Sequence, residues 1–111
     1  AAFRACKAHH LKRRFLRGAE EVLLAGAGLE GRAWSRALQG EGIRVSGWVD
    51  VDPRKIGRIL HGAPVSAAHQ VTAGNGVKML VTVGTRGARD QIRKWADGAG
   101  FTEGVDYLCV T

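Results

Sequence analysis

Six residues, Gly26-Ala27-Gly28-Leu29-Glu30-Gly31, form an uninterrupted GxGxxG that follows the short apolar run Glu21-Val22-Leu23-Leu24-Ala25 and opens a helical stretch. In that strand-to-helix setting the first glycine permits a tight turn. The second lets a pyrophosphate approach the backbone, and the third lets helix and strand pack closely. Free amides at the helix start and its positive end then favour an anion. Asp50 lies nineteen residues after Gly31, at the expected end of the next strand. An acid there accepts hydrogen bonds from an adenosine ribose and favours NAD over NADP. The alternative is a glycine turn kept for packing alone, with no nucleotide. Glu30 opposes binding, because a carboxylate in the first helical turn is stabilised by the helix dipole yet repels a nearby diphosphate. An outward-pointing Glu30 screened by Arg32 would relieve that repulsion.

A second surface comprises Gly84-Thr85-Arg86-Gly87-Ala88-Arg89, after another apolar run. Gly84, Thr85 and Arg86 are expected to face the glycine turn across the crevice between diverging strands. Arg86 and Arg89 have the chemistry to clamp a phosphate or carboxylate, with Thr85 donating as well. The other reading has Thr85 capping a helix and the arginines in water. No catalytic residue and no metal ligand is assigned. His9 and His10 lie in a basic arm, His61 and His69 in turn-like segments, and Ser35, Ser46 and Ser66 lack a nucleophile-elbow setting. Asp50 and Asp52 have DxD spacing, but Pro53 after them gives Asp52 a helix-capping explanation. Cys6 and Cys109 show neither CxxC nor Cys/His spacing, so reduced thiols and a cytoplasmic setting are expected.

The elements that position these residues follow from periodicity. With 111 residues, 45% of them hydrophobic, the chain holds one core and excludes two complete catalytic domains. Glu21–Ala25 reads as a buried strand and Leu29–Glu41 as a helix with Ala33, Trp34, Ala37 and Leu38 on one face. Arg44–Asp50 is a strand, and Asp52-Pro53 predicts a short helix through Ile56 and Ile59. Gly62–Val65, which contains Pro64, predicts an edge strand, and Ser66 a capped turn of helix through Val71. Thr72-Ala73-Gly74-Asn75-Gly76 is turn chemistry. Val77–Val83 is a second buried strand, Ala88, Ile92, Trp95, Ala96 and Ala99 form a helical stripe, and Asp106–Val110 closes as a strand. Trp34, Trp48 and Trp95 are expected in the core. Alternating strands and helices predict an α/β, three-layer, Rossmann-like fold of about five mostly parallel strands in the order 3-2-1-4-5, with helices on both faces.

The net charge of +7 is concentrated near the start of the chain. Arg4, Lys7, Lys12, Arg13, Arg14 and Arg17 precede residue 19 with no acid among them, so the body is nearly neutral. The segment has Phe3, Lys7, Leu11 and Phe15 at helical spacing. Residues 1–18 are therefore expected to be a basic helical connector with its charges in water, and 19–111 the nucleotide-binding-type domain. Without a stacking platform or recognition motif, the charges do not point to nucleic acid. No apolar run reaches the length of a membrane span, and a sequence starting at alanine is expected to be a piece of a longer protein.

Three segments taken together resemble a known family: Val22–Gly28 with Gly31-Arg32, Gly47-Trp48-Val49-Asp50-Val51-Asp52-Pro53-Arg54-Lys55-Ile56-Gly57, and His61-Gly62-Ala63-Pro64-Val65. They are similar to the small Rossmann-like domains of bacterial surface-polysaccharide biosynthesis proteins. The stretch from Val83 to Arg89 through Gly100–Tyr107 resembles the C-terminal accessory domain of family 2 bacterial glycosyltransferases. The resemblance implies a non-catalytic nucleotide-binding or regulatory module, with NAD or a nucleotide sugar as ligand. It also implies a preceding glycosyltransferase domain of the same polypeptide, as its partner in polysaccharide or glycoconjugate synthesis. The readings left beside it are a protein-interaction module that keeps the shape without a ligand and a small NAD-dependent oxidoreductase.

Overall fold

The computed structural model describes residues 2–74 and 76–110. Helix α1 (Ala2–Arg14) is followed by β1 (Glu21–Ala25), α2 (Leu29–Gly40), β2 (Arg44–Asp50), β3 (Ile59–Leu60) and β4 (Ala63–Ala67). A single 3₁₀ turn (Ala68–Gln70), β5 (Lys78–Val81), α3 (Arg86–Gly98) and β6 (Tyr107–Cys109) complete the chain. The six strands form one sheet in the order β3-β4-β2-β1-β5-β6. Every pairing is parallel except β3 with β4. The five-strand order expected from the sequence is present within this sheet, and β3 adds a sixth strand outside β4.

Strand periodicity sorts the apolar residues onto two faces. Val22 and Leu24 of β1, Val45 and Trp48 of β2 and Leu80 of β5 meet Trp34 and Leu38 of α2 on one face. Val49, Met79, Val81 and Tyr107 meet Ile92 and Ala96 of α3 on the other. Trp34 and Trp48 are buried. Trp95 is only half-buried, its ring 5.7 Å from that of Phe101. Tyr107 is enclosed and its hydroxyl donates to Asp97 Oδ1 at 2.9 Å. Burial and that hydrogen bond push the phenol's pKa well above its ordinary value.

The N-terminal helix lies on the sheet rather than standing off it. Ala8 of α1 and, just after the helix, Phe15 and Leu16 join the α2-side core, and the Lys78 ammonium of β5 stands 4.6 Å from the Phe15 ring. Lys7, Lys12, Arg13, Arg14 and Arg17 do face water, whereas Arg4 is half-buried.

Four local expectations are corrected. No helix follows Asp52-Pro53. The Asp52 carboxylate accepts from the Arg54 amide at 3.0 Å and binds its guanidinium at 3.2 and 3.1 Å, so the residue closes a turn. That pairing holds the Asp52 carboxyl below its usual pKa. Gly57, at φ +89°, turns the chain back, and Ile59 enters β3 instead of a helix. Strand β4 is not the outer strand, because Ile59 pairs with Pro64 and Leu60 with Ala63. Ser66 lies within β4, and the 3₁₀ turn is held by Gln70 Oε1, which accepts from the Ala67 amide at 3.3 Å. The β5 strand ends at Val81, two residues before the expected end. Of the predicted turn at 72–76, Asn75 lies outside the described residues.

Candidate functional site

The three motif glycines are held for different reasons. Gly26 sits at φ +119°, where L side chains are strained, and a Cβ there would come within 2.9 Å of Val83 Cγ1 and 3.1 Å of Thr82 Oγ1. The buried Thr82 hydroxyl ties the turn across the strands, bridging Ala25 O at 3.1 Å and Gly26 O at 3.0 Å. A Cβ on Gly31 would overlap the Gly26 carbonyl oxygen and touch Trp48 Cζ3 at 3.0 Å. Gly26 is therefore demanded by its backbone conformation and the close approach of Thr82 and Val83, and Gly31 by the packing of α2 onto the glycine turn and Trp48.

Gly28 is different. Its φ of −88° and ψ of −161° are open to any residue, and a Cβ there would meet only the Lys55 ammonium at 3.6 Å. Neither backbone nor packing requires a glycine at 28. What the missing side chain does is keep the surface bare where α2 begins, where first-turn amides have no intrahelical acceptor. The helix dipole adds positive potential at the same place.

Asp50 ends β2 beside this turn and is 8% exposed. Its Oδ2 accepts from the Ala27 amide and its Oδ1 from the Asp52 amide, each at 2.9 Å. The carboxylate thus braces the glycine turn itself. An ionised carboxylate has about four acceptor positions, so two remain for further donors.

Glu30 is screened, but not by the residue expected. Its Oε1 is 2.6 Å from Arg4 Nη2 of α1, whereas Arg32 turns back so that its Nε donates to Gly28 O at 3.4 Å. The Glu30 Cγ lies 3.8 Å from the point a Gly84 Cβ would occupy. The start of α2 and the β5–α3 loop therefore do face each other. Gly84, Thr85 and Arg86 are exposed there. Thr85 holds the N-cap position of α3 without a side-chain cap bond. Arg89 lies close to Cys109 of β6, half-buried, and its Nε is enclosed without a hydrogen-bond partner among the described residues. Burial pushes the Cys109 thiol up in pKa, against the opposing pull of Arg93 and Arg89. Cys6 is exposed, and both cysteines are free thiols.

Sequence reasoning missed Arg4, Lys55 and Thr82, whose roles depend on contacts between distant segments. It also missed the pairing of Ser35 Oγ with His61 Nδ1 at 2.8 Å. Ser35 is completely buried, and His61 stacks edge-on to Trp48 at 5.9 Å. The pair pins the β3–β4 turn onto α2 and presents no accessible nucleophile. Among the described residues no group of three or more His, Cys, Asp or Glu side chains is placed to hold a metal ion. No helix among them is long and apolar enough to cross a membrane.

No protein-family model matches the chain, and no curated protein does. Similar solved structures include two crystal structures of one repressor. A crystal structure of RSP, a Rex-family repressor, has 19% identity and a TM-score of 0.66 over 92% of this chain and 57% of that chain. A crystal structure of RSP in complex with beta-NADH has 18% identity and a TM-score of 0.63 over 93% of this chain and 59% of that one. The likeness is one of fold: Rossmann-like. The chain spans less than three-fifths of the length of those structures.

Proposed function

We propose that this chain is a nucleotide-binding module without catalytic machinery of its own, and that its ligand is an NAD-type dinucleotide seated across the glycine turn. The observation that carries the reading is Gly28, a glycine with no internal reason to be one, at the open start of a helix and next to Asp50. The NADH complex of a protein with the same fold supports the choice of dinucleotide. The segments resembling glycosyltransferase accessory domains support placing the module in a sugar-transferring polypeptide, whose catalysis would lie outside these residues. A nucleotide sugar is the ligand of second rank, resting on that resemblance alone.

Calorimetric titration with NADH tests this reading. Wild type is expected to give a saturable isotherm. Gly28→Val, whose Cβ meets only the Lys55 ammonium, should keep the wild-type circular dichroism spectrum and bind about a hundredfold more weakly, through loss of charge-assisted bonds to first-turn amides. Equal affinity in the two proteins would remove the turn from the binding site.

The Arg4–Glu30 pair gives a second expectation. Glu30→Gln removes a negative charge beside the diphosphate and should tighten NADH binding by about threefold, while Arg4→Gln exposes that charge and should loosen it by about as much. Both effects should shrink in high salt. Binding isotherms of the two variants at low and high sodium chloride provide the check.

A further inference from the structure

Lys55 lies half-buried in the loop that follows β2. The loop is fixed on both sides of it, by its own amide donating to Asp52 O at 3.0 Å and by the Arg58 amide donating to Lys55 O at 3.2 Å. The preceding cation, Arg54, is taken up by Asp52. Lys55 joins none of the ion pairs found among the described residues. Its ammonium stands instead over the glycine turn, 3.6 Å from where a Gly28 Cβ would be.

Two positive features thus converge on one bare patch of backbone: an ammonium and the start of α2. Of the neighbouring acids, Asp52, whose charge interacts with Lys55, is taken up by Arg54, Asp50 is turned towards the Ala27 and Asp52 amides, and Glu30 is neutralised by Arg4. Like charges held together repel unless an anion lies between them. We propose that Lys55 is the counter-charge for a diphosphate seated at Gly28, so that the crevice selects nucleotides by their diphosphate. The inference rests on the nucleotide reading above and adds the side chain that recognises the diphosphate.

The experiment compares wild type, Lys55→Met and Lys55→Arg by calorimetry with NADH, ADP and adenosine, at low and high sodium chloride. Wild type is expected to bind NADH and ADP more tightly than adenosine. Lys55→Met should weaken NADH and ADP by roughly tenfold to a hundredfold, leave adenosine unchanged, and flatten the salt dependence of the first two. Lys55→Arg should restore most of the affinity. The loop side chain is outside both cores, so all three proteins should melt alike. NADH binding by Lys55→Met within twofold of wild type, with the same salt dependence, overturns the role of Lys55 and leaves the nucleotide site standing. Adenosine binding as tightly as NADH in wild type overturns diphosphate selection. No binding of any of the three by wild type overturns the nucleotide reading itself, and Lys55 with it.

Discussion

Gly31→Ala is expected to lose the native fold or to retain it only marginally. The added methyl would overlap the Gly26 carbonyl oxygen and reach 3.1 Å from its carbon, and these are main-chain atoms that cannot swing aside. Relief requires α2 to move off β1, which pulls Trp34 and Leu38 out of the core they share with Leu24 and Trp48. Forced overpacking of this kind costs about 3 kcal/mol or more, a large share of the roughly 5–15 kcal/mol that holds a domain of this size together. Urea denaturation should show the loss as a lower midpoint, and heating as a melting point lowered by about 12 °C or more. Gly40→Ala is the control. It ends the same helix, a Cβ there meets nothing within 4 Å, and a change within about 1 kcal/mol is expected.

Asp50→Ala should damage stability and binding together. It strips the acceptor from the amides of Ala27 and Asp52, and Ala27 is only 3% exposed, so water cannot fully replace the lost partner. Each amide left unsatisfied costs about 1–3 kcal/mol, and the pair should lower stability by about 2–6 kcal/mol. NADH binding should fall by more than in any single charge variant, because the turn loses its brace and the ribose loses its acceptor. Asp50→Asn keeps one oxygen and should fall between the two. Denaturant curves and NADH isotherms on the same samples separate the two effects. A variant that binds NADH normally but unfolds early would leave Asp50 a purely structural role.

Much of this architecture was legible in the residues, because it depends on local patterns. The apolar runs around Leu24 and Leu80 and the stripe through Ile92 and Ala96 are periodic, and strand-helix alternation leaves few topologies. The glycine turn was equally plain, since GxGxxG is read from one strand-helix junction. The Asp52-Pro53 signal misled for a physical reason: the same aspartate that caps a helix also closes a turn, and Gly57 at positive φ then reverses the chain. Strand β3 has two residues, too few for any period to show. The packing of α1 was hidden because its apolar positions are few, and only the fold brings Ala8, with Phe15 and Leu16 after the helix, into the α2-side core. Charge pairing was the least legible part of the candidate site. Arg4 and Glu30 are 26 residues apart, and Lys55 reaches Gly28 only because the loop after β2 folds back on itself.

The most direct test is an amide NMR titration of the isotopically labelled chain with NADH. Saturable shifts are expected at Gly26, Gly28 and Gly31, at Asp50 and at Gly84, Thr85 and Arg86 across the crevice, with amides at the opposite end of the strands, at Glu21 and Arg44, unmoved. Spectra that stay unchanged at millimolar NADH would contradict a nucleotide site at this turn.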